Sequence, residues 1–343
     1  MPASHPSDEV LSIADLCVTV HDGAATALRD VSMAVHAGEI VGLVGESGSG
    51  KTLACRAALG VLPPGVAVAQ GAITFAGQDV TRLSRRGWER LHGSQIGAVF
   101  QDPTSYLNPN LTIGSQLTEV LRVKRGLSRA QARQRAIELL NTVGLHQAGR
   151  VFQQIPAELS GGMLQRVMIA IAISCDPRLL IADEATTALD VTIQAEILEL
   201  IKRLRDASGL GVLFVSHDLA VIRELCDLVV VFYAGEVVEA GPVAEIIERP
   251  RHPYTQALLR VASVGDFQRR ELEVIPGQPP QVGARITGCR FAARCPAAID
   301  ACRTADIALT RLSATHEARC VRVNDPELAV ASAAVAAPVG ASR

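Results

Sequence analysis

No stretch of this chain approaches the roughly 20 consecutive apolar residues that a helix needs to cross a bilayer, although 48% of its 343 residues are hydrophobic. The longest apolar runs, such as Leu228–Ala234, have the length of buried strands. Aromatic residues are scarce at 3%, and none precedes Phe75, so aliphatic packing must build the core. An excess of one charge is missing too: Lys plus Arg is 33 against 35 for Asp plus Glu, a formal net charge of −2. That balance gives no electrostatic reason to expect nucleic acid as a partner. The first ten residues lack the basic start and apolar run of a signal peptide, so the chain is expected to stay in the cytosol. Its eight cysteines are then expected to be thiols rather than disulfides.

What is present begins with Gly45-Glu46-Ser47-Gly48-Ser49-Gly50-Lys51-Thr52. It fits G-x-x-x-x-G-K-[ST], the loop that wraps nucleotide phosphates. The context fits as well: Ile40–Val44 reads as a strand and Leu53–Leu62 as a helix, stopped by Pro63-Pro64-Gly65. The amides of Ser47–Lys51 are expected to curl around the β-phosphate of ATP, with Lys51 reaching the β- and γ-oxygens. The Thr52 hydroxyl is expected on Mg²⁺. A second anion site is expected at Leu159-Ser160-Gly161-Gly162-Met163, where a Ser-Gly-Gly turn opens an apolar-periodic stretch.

Elsewhere the pattern alternates strands and helices, which implies a largely parallel sheet. Leu11–Val20, Leu179–Ala182, Val212–Val215 and Leu228–Tyr233 read as strands, and Ile193–Leu204 as an amphipathic helix. A helical insertion occupies about 103–175. Within it, 115–145 carries helical signals, including a capping box at Ser128–Gln131. Asp183 and Glu184 follow a buried strand, at the end where open α/β sheets bind ligands. Asp183 is expected to support Mg²⁺ and Glu184 to polarise the attacking water. Gln101, after the apolar run Ile96–Phe100, is expected to contact the metal and that water. His217 ends the next strand and is expected near the γ-phosphate. None of these four residues carries weight without the phosphate loop.

Beyond Gly241-Pro242 the composition changes, with recurrent prolines and then four cysteines, Cys289, Cys295, Cys302 and Cys320, spaced C-x5-C-x6-C-x17-C. This lacks the paired C-x2-C of zinc ribbons and the spacings of common ferredoxins. Spacing alone leaves two readings open, metal ligands or four reduced thiols in a small packed lobe. Cys17, Cys55, Cys175 and Cys226 lie in apolar elements and read as core. Residues 326–343, rich in Ala and Val without periodicity, read as a disordered tail.

Taken together, the phosphate loop, Gln101, Leu159–Met163, Leu179–Glu184, Ala188-Leu189-Asp190 and Ser216-His217 resemble ATP-binding cassette (ABC) ATPases in order and spacing. The resemblance covers about residues 11–245. It implies an α/β P-loop NTPase fold, a RecA-like parallel sheet with an antiparallel β subdomain and the helical insertion. It also implies two cassettes packed head to tail, each ATP lying between one phosphate loop and the other subunit's Ser160-Gly161-Gly162. Asp190 would couple the two sites. The physics agrees, since Ser160 can cap its helix while the helix dipole meets the γ-phosphate.

Phe100-Gln101-Asp102-Pro103, Thr186–Thr192, Arg251–Leu259, Ile275–Pro280 and Gly288-Cys289-Arg290-Phe291 narrow the resemblance to the oligopeptide/dipeptide-type importers. This implies an N-terminal tail (1–10), a cassette (11–245), a C-terminal extension (246–325) and the tail. It also implies an ATPase at the cytoplasmic face of the membrane, paired with a second ATPase subunit, identical or paralogous. Two transmembrane permeases and an extracytoplasmic solute-binding protein complete the expected assembly. Some relatives hold a [4Fe–4S] cluster on cysteines matching Cys289, Cys295, Cys302 and Cys320. Three positions depart from the family pattern. Ala185 follows the base in place of proline, and Leu164 replaces an arginine. The aromatic that stacks on adenine is missing, His21 being the nearest substitute. The alternative reading is a soluble ABC-type ATPase acting on nucleic acid or ribosomes. It would call for tandem cassettes, coiled-coil insertions or basic arms, and the sequence has none of them.

Overall fold

The computed structural model describes residues 8–186, 189–263 and 275–325. In chain order its strands are β1 (Glu9–Val20), β2 (Ala25–His36), β3 (Ile40–Val44), β4 (Ala67–Phe75), β5 (Gln78–Asp79) and β6 (Ile96–Val99), then β7 (Leu179–Asp183), β8 (Gly211–Val215), β9 (Leu228–Tyr233), β10 (Glu236–Pro242), β11 (Thr310–Arg311) and β12 (Glu317–Ala318). Its helices are α1 (Lys51–Ala58), α2 (Arg85–Leu91), α3 (Ile113–Arg125), α4 (Arg129–Thr142), α5 (Ala148–Val151) and α6 (Gly161–Ile173), then α7 (Val191–Ser208), α8 (Leu219–Leu225), α9 (Val243–Glu248), α10 (Pro253–Ser263) and α11 (Ala301–Thr304). None of them is long and apolar enough to cross a membrane. All eight cysteines are free. Cys55 and Cys175 are buried, and Cys17 and Cys226 half-buried.

The chain folds as two compact units. The first is built mainly from Thr74–Val215, joined by Ala34–Ile40 and the start of β1. Its centre is a parallel ribbon in the order β8-β7-β6, with Asp183 beside Val215 and Ala182 beside Val99. Every residue of β7 and β8 is buried, as expected of parallel strands covered on both faces. Helices α3, α4 and α6 pack together, and α6 lies against β6. The stretch expected to be helical over 115–145 is two helices. Gly126, at φ 66°, ends α3, and the expected capping box starts α4, with Gln131 N donating to Ser128 Oγ and Ser128 N to Gln131 Oε1.

The second unit comprises Ser12–Met33, Val41–Ile73 and the chain from Ser216 onward. Here β3 pairs in parallel with β9, β9 turns back into antiparallel β10, and β10 pairs with β12 in the C-terminal extension. The extension thus continues the sheet rather than hanging from it. Glu239, fully buried on β10, accepts from the Arg251 and His252 amides at 2.6 and 2.9 Å and lies 2.9 Å from His316 Nε2. Strands β1, β2 and β4 stand in the order β2-β1-β4. The first helix ends earlier than Leu62, because Gly60 at φ 65° closes it before Pro63 is reached. Residues 326–343, expected as a disordered tail, lie outside the described residues.

Candidate functional site

In the second unit the phosphate loop follows β3, whose five residues are all buried. Two of its glycines are required, Gly45 by space and Gly50 by its left-handed backbone. A Cβ on Gly45 (φ 149°) would stand 2.1 Å from the Phe232 carbonyl oxygen, and one on Gly50 (φ 112°) 2.6 Å from Leu28 Cδ2. Gly50 is the N-cap of α1, and no side chain caps it, which suits a helix start aimed at an anion. Lys51 is 5% exposed, and its Nζ donates to the carbonyls of Gly45 (2.8 Å) and Glu46 (3.0 Å) and to Ser49 Oγ (3.4 Å). Ser47 and Gly48 stand at the exposed crest, Ser49 is buried and Thr52 half-buried. The loop is braced at Ser49, whose carbonyl accepts from Gly235 N.

The Ser216 amide donates to the Leu43 carbonyl, which brings exposed His217 beside the strand that feeds the loop. Asp218 then caps α8 through the Ala220 amide. His21, the candidate for adenine, lies exposed in the turn after β1 at φ 52°.

The first unit gathers the acidic pair and Gln101 at one end of its ribbon. Asp183, 6% exposed, closes β7 beside Val215. Glu184 follows at φ 53°, its amide donating to the Val215 carbonyl. That left-handed backbone turns the carboxylate-bearing residue out of the strand direction, a local strain characteristic of functional positions. Ala185, where the resemblance called for proline, is buried. Gln101 is exposed, two residues past Val99, which lies beside Ala182.

Ser160 is the N-cap of α6, its Oγ accepting from Met163 N, with no acidic residue in the first turn. Ser160 and Gly161 are exposed. A Cβ on Gly162 would meet Ile193 Cγ2 at 2.7 Å, so the Ser-Gly-Gly turn lies directly on α7. Asp190, also exposed, caps α7 by accepting from Ile193 N at 2.9 Å. Leu164, the second departure, is buried in the core. Thr187 and Ala188 lie outside the described residues.

The four C-terminal cysteines line one cavity, shared with His252, Phe291 and Ile307. Burial pushes the Cys289 and Cys320 thiols up to about 11, and the neighbouring cysteines add to the shift. Cys295 is raised for the same reasons. Among the described residues, however, no three His, Cys, Asp or Glu side chains are arranged to hold a metal ion.

Two residues next to the phosphate loop were not identified as site residues from sequence. Tyr254 Oη accepts from the Glu46 amide at 2.8 Å, and Arg294 pairs with the Glu46 carboxylate through two hydrogen bonds of 2.7 and 2.9 Å. They stand 208 and 248 residues along the chain from Glu46, where no local pattern can announce a contact. Around them, in a chain short of aromatics, Tyr233, Tyr254 and Phe291 cluster with ring centroids 4.6–5.4 Å apart.

Comparison with known proteins places the chain in a family. The family described as "ABC transporter" matches residues 28–187, and "Oligopeptide/dipeptide transporter, C-terminal region" matches residues 238–302. A Brucella melitensis ATP-binding protein provisionally assigned to peptide import is 47% identical over 308 residues, covering 86% of this chain and 91% of its own length. The dipeptide transport ATP-binding protein DppD of Escherichia coli is 43% identical over 314 residues, covering 91% and 96%. Among solved structures, cbiO1 from Clostridium perfringens, part of the ABC transporter complex cbiONQ, matches with a TM-score of 0.62 at 28% identity, over 70% of this chain and 90% of that one. The dimeric structure of the bacterial ABC transporter cassette MJ0796 matches with a TM-score of 0.61 at 29% identity, over 68% and 98%.

Proposed function

The chain belongs to the ATP-binding subunits of ABC transporters, and from that premise we propose that it couples ATP hydrolysis to the import of peptides or similar small solutes. The observation that carries this reading is the similarity to peptide and dipeptide transport proteins, which runs through the extension as well as the cassette. The cassette is assigned to 11–245 and the extension to 246–325.

In this reading the loop amides and Lys51 hold the β- and γ-phosphates, and Glu184 takes a proton from the attacking water. Thr52, Gln101 and Asp183 offer hydroxyl, amide and carboxylate oxygens, the donor type that Mg²⁺ prefers. They would hold the ion, which when bound neutralises charge on the phosphate oxygens. His217 orients the γ-phosphate. Ser160, Gly161 and Gly162 present the start of α6 to the ATP of a second, head-to-tail cassette, and Asp190 links the two sites. The exposure of Ser160, Gly161 and Asp190 supports a role at such an interface. Two permeases would anchor the pair at the cytoplasmic face of the membrane, with an extracytoplasmic binding protein delivering the solute.

For the extension we propose that Cys289, Cys295, Cys302 and Cys320 ligate a [4Fe–4S] cluster. The support is that all four thiols line one cavity, and a cubane spreads its four thiolates further apart than a single ion would. Anaerobically purified protein should then be brown and contain iron and acid-labile sulfide. Colourless, iron-free and sulfide-free protein overturns the assignment.

The transport reading is tested by a mild-detergent pull-down of tagged protein from its native membranes. Two multispanning permeases are expected to co-purify. Recovery with ribosomes or nucleic acid and no permease overturns the reading.

A further inference from the structure

Glu46 is held at three points. Its amide donates to Tyr254 Oη, its carbonyl accepts from Lys51 Nζ, and its carboxylate takes both arms of the Arg294 guanidinium. Arg294 in turn uses every N–H it has. Nε donates to the Pro276 carbonyl, Nη1 to Glu46 and Tyr233 Oη, and Nη2 to Glu46 and the Ile275 carbonyl. Its side chain is 4% exposed, with the guanidinium also 5.7 and 5.8 Å from the Tyr233 and Phe291 ring centroids. A guanidinium fixed by five bonds has no freedom to leave its partner.

The location of this pair gives it a consequence. A carboxylate in the second position of a phosphate loop has the same sign as the triphosphate the loop is built to receive. Left uncompensated it would repel ATP, and the repulsion would grow with each added phosphate. We propose that Arg294 of the C-terminal extension is a positioning residue for the phosphate loop, neutralising Glu46 and fixing the loop backbone for a triphosphate. The inference rests on the assignment of this loop as the ATP site. It gives the extension a part in nucleotide binding from one residue before Cys295.

The test is equilibrium binding of ATP, ADP and adenosine to the full chain. Arg294→Gln should weaken ATP on the order of tenfold, ADP less, and adenosine not at all. The loss should shrink as salt is raised. Arg294→Lys, a point charge without the fork, should fall between. Glu46→Gln/Arg294→Gln, with the repelling charge gone, should recover most of the affinity. An Arg294→Gln protein that binds ATP like wild type, or loses ATP and adenosine equally, overturns the proposal. If Arg294→Gln alone fails to fold, Arg294→Lys and the double variant decide on the same criteria. Undiminished ATP binding by Lys51→Ala would instead overturn the loop assignment beneath it.

Discussion

Glu184→Gln is expected to cut ATP turnover by roughly two to four orders of magnitude while ATP binding persists. The amide keeps the shape of the carboxylate but cannot take a proton from water. The substitution also keeps the size of the side chain and leaves the backbone hold in place: φ 53°, with the amide on the Val215 carbonyl. Binding without hydrolysis should hold two cassettes together, so the variant is expected to run as a dimer in size exclusion with ATP present and as a monomer without it. Steady-state phosphate release and the elution position are the two readouts. Wild-type turnover would remove Glu184 from the role of base and turn attention to His217.

Lys51→Ala is expected to act one step earlier, on nucleotide affinity itself. Lys51 is buried, with its charge shared among the Gly45 and Glu46 carbonyls and Ser49 Oγ. Its removal takes the one cation out of the loop and leaves two carbonyls without that donor. A hydrogen bond to a charged group contributes about 1.5–3 kcal/mol, so the loss in ATP affinity should be on the order of 10- to 100-fold. Titration with a fluorescent ATP analogue measures it directly. The two variants separate binding from chemistry: Lys51→Ala should raise KM, whereas Glu184→Gln should lower kcat.

Much of this site was legible because its parts are encoded locally. A buried strand, a glycine-rich loop and a helix are consecutive in sequence, and so are the Ser160 cap and its helix. The Asp183-Glu184 pair follows its strand directly. Where expectation and structure parted, a nearer signal had been passed over: Gly60 stops α1 before the prolines do, and Gly126 divides the helical insertion. Strand β2 was missed although Val31, Met33 and Val35 are buried in alternation. The alternation is short, and Asp30 at φ 45° interrupts it. The Glu46–Arg294 pair belongs to a different kind of omission. Both residues lie in stretches that were singled out, yet nothing in either stretch names the other, and only the folded sheet brings them together.

The distance between those two residues along the chain also has a meaning in time. Glu46 leaves the ribosome 248 residues ahead of Arg294, which at 5–20 residues per second is roughly 10–50 s of synthesis. During that interval Glu46 has no guanidinium partner. If Arg294 acts as proposed, the nascent chain binds ATP poorly until Arg294 has emerged and docked on Glu46.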